Sequence, residues 1–394
     1  MRTVQLLFFP VAVCLMAVLP APAQDVLTPV VAAPLVSSTV AVLGTDGKQH
    51  LVYELVITNT GTATATLQTI EVVDAGAPTK VLATFAGDAL LTRLRTAGRG
   101  PEITAPQIEF SGTRLFLIDF TLDRDSHVPA TLLHRFHLLA GGPPGSPKDE
   151  TVAQTYTIAP ISVGTDVTVL GPPLAGKGWA VFNGCCEPGG VHRGTGMAIN
   201  GQIHFAQRFA IDWMLLNADA RFLHGDGKDV KQYAAYGAKV IAVADGTVVE
   251  TLSTLEDQVP GQLPDPKTIT IENVDGNHIV LDLGRNKYAF YAHLEKGSLL
   301  VKTGDHVKRG QVLALLGNTG NTSAPHLHFH LMDGISVLGS SGLPYVIDGF
   351  EVAGQLSSEQ FKASEIEGEW SKDISAHASS RKSEFPVDLT VVNF

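Results

Sequence analysis

Gly317-Asn318-Thr319-Gly320-Asn321-Thr322-Ser323-Ala324-Pro325-His326-Leu327-His328-Phe329-His330-Leu331-Met332 is the stretch on which the reading of this chain turns. Its first half is turn chemistry, and its second half alternates as a strand does. On a strand His326 and His328 point the same way, ~7 Å apart, while Leu327 and Phe329 enter a core. Such a pair lets one imidazole bind a metal while its neighbour reaches water or substrate. His330 shares that face but lies farther along. A single His-x-His is a common accident, so the pair needs company elsewhere in the chain.

Two other stretches supply it. Tyr291-Ala292-His293 ends a β-type run and places an imidazole at a strand terminus. Gln207-Arg208-Phe209-Ala210-Ile211-Asp212-Trp213 reads as an alternating strand that presents one carboxylate, Asp212, among apolar neighbours. A carboxylate there requires a partner or a metal, because unpaired burial would cost several kcal/mol or force it neutral. Two histidines and one aspartate, with a fourth position open, are a usual donor set for catalytic zinc. Around these stretches, glycines punctuate further β-type runs at 239–244, 246–250, 268–272, 278–283, 289–293 and 311–316, and 301–314 has the cadence of a tight turn between two barrel strands.

With these residues in view, the region from about Gly178 to Gly349 resembles the lysostaphin/LytM-type zinc metallopeptidases, which are peptidoglycan endopeptidases. The resemblance is carried by Phe209-Ala210-Ile211-Asp212, the run from Gly237 to Val248, Tyr291-Ala292-His293-Leu294, the turn from Gly304 to Gln311, and Gly317-Asn318-Thr319-Gly320 through His326-Leu327-His328-Phe329. It implies a mostly antiparallel β domain, the duplicated hybrid motif fold, with an open groove. It also implies Asp212 and His328 as zinc ligands, with His293 and His326 assisting the chemistry.

One position departs from the pattern. The family's first ligand is a histidine four residues before the aspartate, and here that position holds Arg208. His204 lies eight residues before Asp212, ~26 Å along a continuous strand, which is too far to share an ion. Asn200-Gly201 is a hairpin signal, and folding there sets His192 opposite residue 209, near Asp212. Ideal parity puts His192 on the wrong face, so a bulge is required, which Gly189, Gly190 and Gly194 allow. His192 is therefore the expected third ligand, ahead of His204. His224 and His278 read as turn residues, and Tyr345 is a weak candidate for the groove wall.

The rest of the chain is read from composition and punctuation. With 394 residues, 44% of them hydrophobic, the chain is long enough for two or three domains. A formal charge of 28 − 39 = −11 argues against nucleic acid as a partner. Residues 1–23 read as a secretory signal peptide: Arg2, an apolar run from Leu6 to Leu19, and Ala21-Pro22-Ala23. The mature chain is expected to have no membrane span and to be exported to the periplasm or cell envelope.

Short alternating runs such as Leu51 to Ile57, which carries Leu51, Tyr53, Leu55 and Ile57 on one face, predict an immunoglobulin-like β accessory domain over 30–165. A Gly/Pro-rich linker at 166–177 leads to a metallopeptidase domain over 178–350, and 351–394 reads as a C-terminal tail. The expected fold class is all-β throughout. Three cysteines exclude a disulfide-stapled scaffold, and Cys185-Cys186 reads as two packed thiols rather than a vicinal disulfide.

The function expected is zinc-dependent hydrolysis of amide bonds in peptidoglycan cross-links. A catalytically inactive LytM-type wall-binding or amidase-activating regulator is the alternative. The sequence leaves open the bond cut and the oligomeric state.

Overall fold

A computed structural model describes residues 25–97, 100, 102–142, 145–359 and 378–394. The expected signal peptide lies outside the described residues. Among those residues the chain is almost entirely β, with short 3-10 turns and a four-residue helix at Asp88–Leu91. The all-β expectation therefore holds.

The N-terminal part forms a five-stranded and a six-stranded sheet. In the first, Lys48–Asn59 lies between Val30–Pro34 and Thr113–Asp123. In the second, Thr131–Gly141 lies between Ala65–Asp74 and Thr151–Gly164. Inward residues of both sheets, including Leu51, Tyr53, Leu55, Ile70, Phe116 and Phe136, share one core. The strand Ala77–Ala86, which pairs with Ala65–Asp74, was not read from the sequence, because only Phe85 in it is buried and its apolar alternation is weak.

The outer face of the first sheet is dry. Val52, Glu54 and Val56 alternate with the core residues of Lys48–Asn59, and polar, solvated side chains would be expected there. Instead, Leu115 and Leu117 pack on Phe205, with Val56 and Ile203 beside them, while Val52 joins the large C-terminal core. The segment that carries His192 and Arg208 thus lies directly on this face.

The C-terminal part is built on an eleven-stranded sheet. Its centre runs Tyr288–Ala292, Leu327–Met332, Ile211–Leu215, Lys177–Phe182, each antiparallel to the next. Residues 350–355 and 390–393 extend the same sheet, with Thr390–Asn393 pairing with Lys177–Phe182. Residues 351–355 and 390–393 of the expected tail are thus built into the sheet: Val391 and Val392 are fully buried. One face of the central strands, including Ile211, Trp213, Leu327, Phe329 and Tyr291, covers the main core. The opposite face carries the polar cluster described below.

Three sequence expectations are corrected here. Residues 268–272 form the end of a 3-10 turn and irregular chain, not a strand, because the Asp265 side chain caps the preceding turn at Lys267 N and the Asn273 side chain takes up Thr270 N. Cys185 and Cys186 are joined in a disulfide, not left as thiols, and both side chains are buried in the main core. Tyr345 is fully buried against Phe329 and Phe385 and lines no groove.

Candidate metal centre

Asp212 and His328 are directly opposed Cα partners on neighbouring antiparallel strands, so their side chains rise from the same face. The period of two that sends Ile211, Trp213, Leu327 and Phe329 into the core sends these two out of it. His328 Nδ1 lies 3.0 Å from Asp212 Oδ1. His326, two residues earlier, brings its Nε2 to 3.3 Å from the same oxygen.

His192 arrives from outside the sheet. The Asn200-Gly201 hairpin forms in the expected register, pairing Met197 with His204 and Ile199 with Gln202. Pairing stops at Met197, and His192 sits on a 3-10 turn, His192–Gly194, instead of a bulged strand. Residues 206–209 are also a turn, so the strand bearing Asp212 begins only at Ile211. With no strand geometry to obey, the turn places His192 Nε2 3.4 Å from Asp212 Oδ1.

His192, Asp212 and His328 each offer a ligand atom, all within 4.8 Å of one another, and all three residues are buried. His204 is not among them; it lines an approximately 310 Å³ cavity with Arg208 and Ser38. Arg208 turns away from the centre altogether. Its Nε lies 3.0 Å from Glu54 Oε1, its second amino group 2.5 Å from Oε2, and its first donates to Gly342 O at 2.6 Å. His224 bonds Asn217 in a loop, whereas His278 bonds Gly276 O and opens the strand His278–Asp282, buried and paired with Leu252, a structural place but not a turn.

His293 sits one residue past the strand Tyr288–Ala292, where alternation would point it away from His328. Its φ of 60° breaks the alternation and turns the ring towards the cluster, 4.7 Å from the His326 ring centroid. The Thr319 loop holds it there: His293 Nδ1 meets Thr319 O at 2.7 Å, and Thr319 Oγ1 donates to Leu294 O.

Several partners escaped the sequence reading. Asn183, at the end of the neighbouring strand, donates to Asp212 Oδ2 at 2.7 Å. His330 Nδ1 lies 3.0 Å from His328 Nε2, fixing the outer edge of that ring. Asp275 is buried close by, with Gln207 Nε2 at 3.4 Å from one oxygen and no partner on the other. An Asn-Gly after a strand, or an Asp-Gly before one, carries only a turn signal, so Asn183 and Asp275 had no local signature, whereas the strand period placed His330 on the shared face without pairing it.

The electrostatics centre on one carboxylate. His192 Nδ1 faces Ala210 O at 3.3 Å and His326 Nδ1 faces Ala324 O at 2.8 Å. A neutral ring that donates through Nδ1 presents a lone pair at Nε2. Both Nε2 atoms would then face an anionic oxygen, an arrangement that needs either protons or a cation. Without a metal, burial pushes His192 and His326 down, but the Asp212 charge outweighs it and raises both. Burial pushes Asp212 up, and the facing imidazoles hold it well below the usual carboxylate range. His328, His293 and His330 are lowered, chiefly by burial. A divalent cation would satisfy the lone pairs and the carboxylate together, so this donor set fits zinc.

The fold and site therefore define a class, an all-β protein with a buried two-histidine, one-aspartate centre flanked by three further histidines, His293, His326 and His330. Residues 226–338 match the model of Peptidase family M23, as the sequence resemblance implied. That match contains His293, His326 and His328; His192 and Asp212 lie before it. The chain is 34% identical over 135 residues to peptidoglycan DD-endopeptidase ShyA of Vibrio cholerae serotype O1, an alignment covering 32% of this chain and 27% of that one. It is 33% identical over 108 residues to glycyl-glycine endopeptidase ALE-1 of Staphylococcus capitis, covering 27% and 25% respectively. The chain thus spans about a quarter of the length of these relatives. Among solved structures, the catalytic domain of lysostaphin from Staphylococcus simulans aligns at 25% identity and a TM-score of 0.22, covering 37% of this chain and 80% of that one. No helix among the described residues is long and apolar enough to cross a membrane.

Proposed function

We propose that the protein is an exported zinc metalloendopeptidase that hydrolyses amide bonds in peptidoglycan peptide cross-links. The observation that carries the reading is the convergence of three imidazole nitrogens on one buried carboxylate oxygen, two of them with their outer nitrogens facing backbone carbonyls. In this reading His192 Nε2, Asp212 and His328 Nδ1 hold the metal, and 178–350 is the catalytic domain. Residues 30–165 are an accessory domain and 1–23 a cleaved signal peptide.

Zinc bound there supplies Lewis-acid polarisation of the scissile carbonyl and lowers the pKa of water towards ~7. The chain's own groups do the rest. His326 is the most exposed of the set, its side chain 14% accessible against 10% or less for Asp212, His192 and His328, which supports an approach of substrate from its side. His326 Nε2 exchanges a proton with the attacking water and the leaving amine, because its Nδ1 is engaged by Ala324 O. His293, kept neutral by burial, offers Nε2 to orient that proton while Thr319 O holds its Nδ1. The two rings thus divide the work, one carrying a proton and one accepting a hydrogen bond.

Incubating the protein with purified sacculi, with and without chelator, tests the reading by the mass of the released fragments. Chelator-sensitive release of peptide-cleaved fragments, lost in His328→Ala together with zinc, is expected; sacculi unchanged in both arms would overturn it. Arg208, standing where the resemblance places a ligand, favours the second reading of an inactive wall-binding or amidase-activating regulator. Metal analysis separates the two: one zinc per chain supports the enzyme, and none supports the regulator.

A further inference from the structure

We infer that Glu54, a residue of the N-terminal sheets, is a positioning residue of the metal centre, holding the His192 turn in place through Arg193 and Arg208. The inference rests on the reading of His192 as a ligand. Glu54 lies mid-strand in Lys48–Asn59, on the face away from its own core, and is fully buried. One oxygen accepts from Arg193, and both accept from Arg208, which also reaches Gly342 O. Arg193 adds a contact at 3.3 Å to Ile118 O on the neighbouring strand Thr113–Asp123.

The two arginines bracket a hairpin excursion. Arg193 follows His192 directly, and Arg208 lies four residues before Asp212. A single carboxylate therefore ties the two ends of the 194–207 segment together. That tie acts with the His192 Nδ1 contact to Ala210 O at 3.3 Å in setting the distance from His192 to Asp212, because the short 197–199/202–204 ladder does not extend to either residue. No strand ladder holds His192, and its own backbone sits in a turn of three residues. The apolar contacts of Phe205 with Leu115 and Leu117 press the hairpin onto the sheet, but they lack direction. The charge-assisted, forked bonds of Glu54 supply direction.

Buried charged triads are costly to assemble, and well-packed apolar residues often replace them without loss of stability. Their retention here is accounted for by geometry at the metal centre. Arg208, the departure from the family pattern, then acts as one jaw of a clamp that presents the histidine taking over the missing position.

The test uses the full chain as wild type, His192→Ala, Glu54→Gln, and the charge-free triple Glu54→Leu/Arg193→Met/Arg208→Met. Zinc affinity is read by chelator competition, metal-free stability by thermal unfolding, and ligand geometry from the visible spectrum of the cobalt-loaded protein. The triple is expected to unfold within a few degrees of wild type, because no charge is left uncompensated. Both Glu54 variants are expected to bind zinc ~10-fold more weakly, the low end of the loss for direct hydrogen-bond partners of ligands because Glu54 acts one residue removed, with an altered cobalt spectrum. Loss of affinity in His192→Ala, with both Glu54 variants within threefold of wild type and unchanged spectra, would overturn the clamp and leave the ligand assignment standing. Wild-type affinity in His192→Ala would remove the ligand assignment itself. Failure of both Glu54 variants to fold would also overturn the inference, by reducing Glu54 to a structural residue.

Discussion

Asn183→Gly should weaken zinc binding and cost the metal-free fold about 1–3 kcal/mol. Asn183 Nδ2 donates to Asp212 Oδ2 at 2.7 Å and so fixes the rotation of a carboxylate whose other oxygen faces three imidazoles. Glycine suits the position, because Asn183 has a φ of 50° that a side chain with a Cβ occupies under strain. The substitution thus removes the amide without adding a clash or a forced backbone. A buried acceptor left without its donor costs about 1–3 kcal/mol. Relief of the left-handed backbone offsets part of this, and the entropy of glycine restores about 0.5–1 kcal/mol of the loss. The metal-free protein should therefore lose about 1–3 kcal/mol. Freeing the carboxylate to rotate should lower zinc affinity ~10–100-fold, equivalent to about 1.4–2.7 kcal/mol. Chelator competition at fixed pH reads the second quantity and urea unfolding without metal reads the first. A variant that loses stability yet binds zinc within threefold of wild type would refute the argument, since Asn183 would then hold only its loop.

Three further outcomes follow from the same geometry. His330→Phe keeps the ring volume but strips the partner from His328 Nε2; zinc affinity by chelator competition should fall ~10–100-fold with a small change in unfolding midpoint. Gly320→Ala sets a Cβ 2.2 Å from Gly276 N at a φ of 83°, displacing the loop that holds His293, and should destabilise by well over ~1 kcal/mol in thermal unfolding. His134, buried between Tyr53 and Ala159 O, is pushed down to about 4 by burial. The unfolded chain binds the proton more tightly than the fold does, so this contribution is complete above pH ~6.5 and is lost as pH falls towards 4, about 3 kcal/mol in all. His134→Phe should flatten the urea stability profile over that window, and an unchanged profile would refute the assignment.

What the sequence made legible was whatever a strand's alternation encodes. Asp212 and His328 could be placed on a common face because Ile211, Trp213, Leu327 and Phe329 had to face the core, and cross-strand pairing then brought the two together. His326 followed from the same period. His192 could be brought near by the Asn200-Gly201 hairpin, but its orientation could not, since it depends on a 3-10 turn whose geometry has no period. His293 needed a left-handed backbone that no residue nearby signals. Asn183, Asp275 and His330 act through partners 29, 68 and 2 residues away, and only the last of these lies within local reach. Glu54 was the most concealed. The Leu51/Tyr53/Leu55/Ile57 pattern puts it on the outer face of a sheet, which normally means water, and nothing local says that another part of the chain covers that face.

Under the proposed ligand set, that covering accounts for an arginine at the position where the sequence resemblance places a ligand. In the central sheet, Asp212 and His328 are held by hydrogen-bonded ladders on both sides and need no further support. His192, the proposed third ligand, sits on a three-residue turn with no ladder, and each backbone residue such a turn must order costs about 1–2 kcal/mol of conformational freedom. The cost can be met before the metal arrives only if something else orders the turn. Here an apolar contact and a buried carboxylate, both from the N-terminal sheets, do so. The N-terminal sheets then act as part of the centre's scaffold, and their removal would be expected to loosen His192 before it disturbed Asp212 or His328.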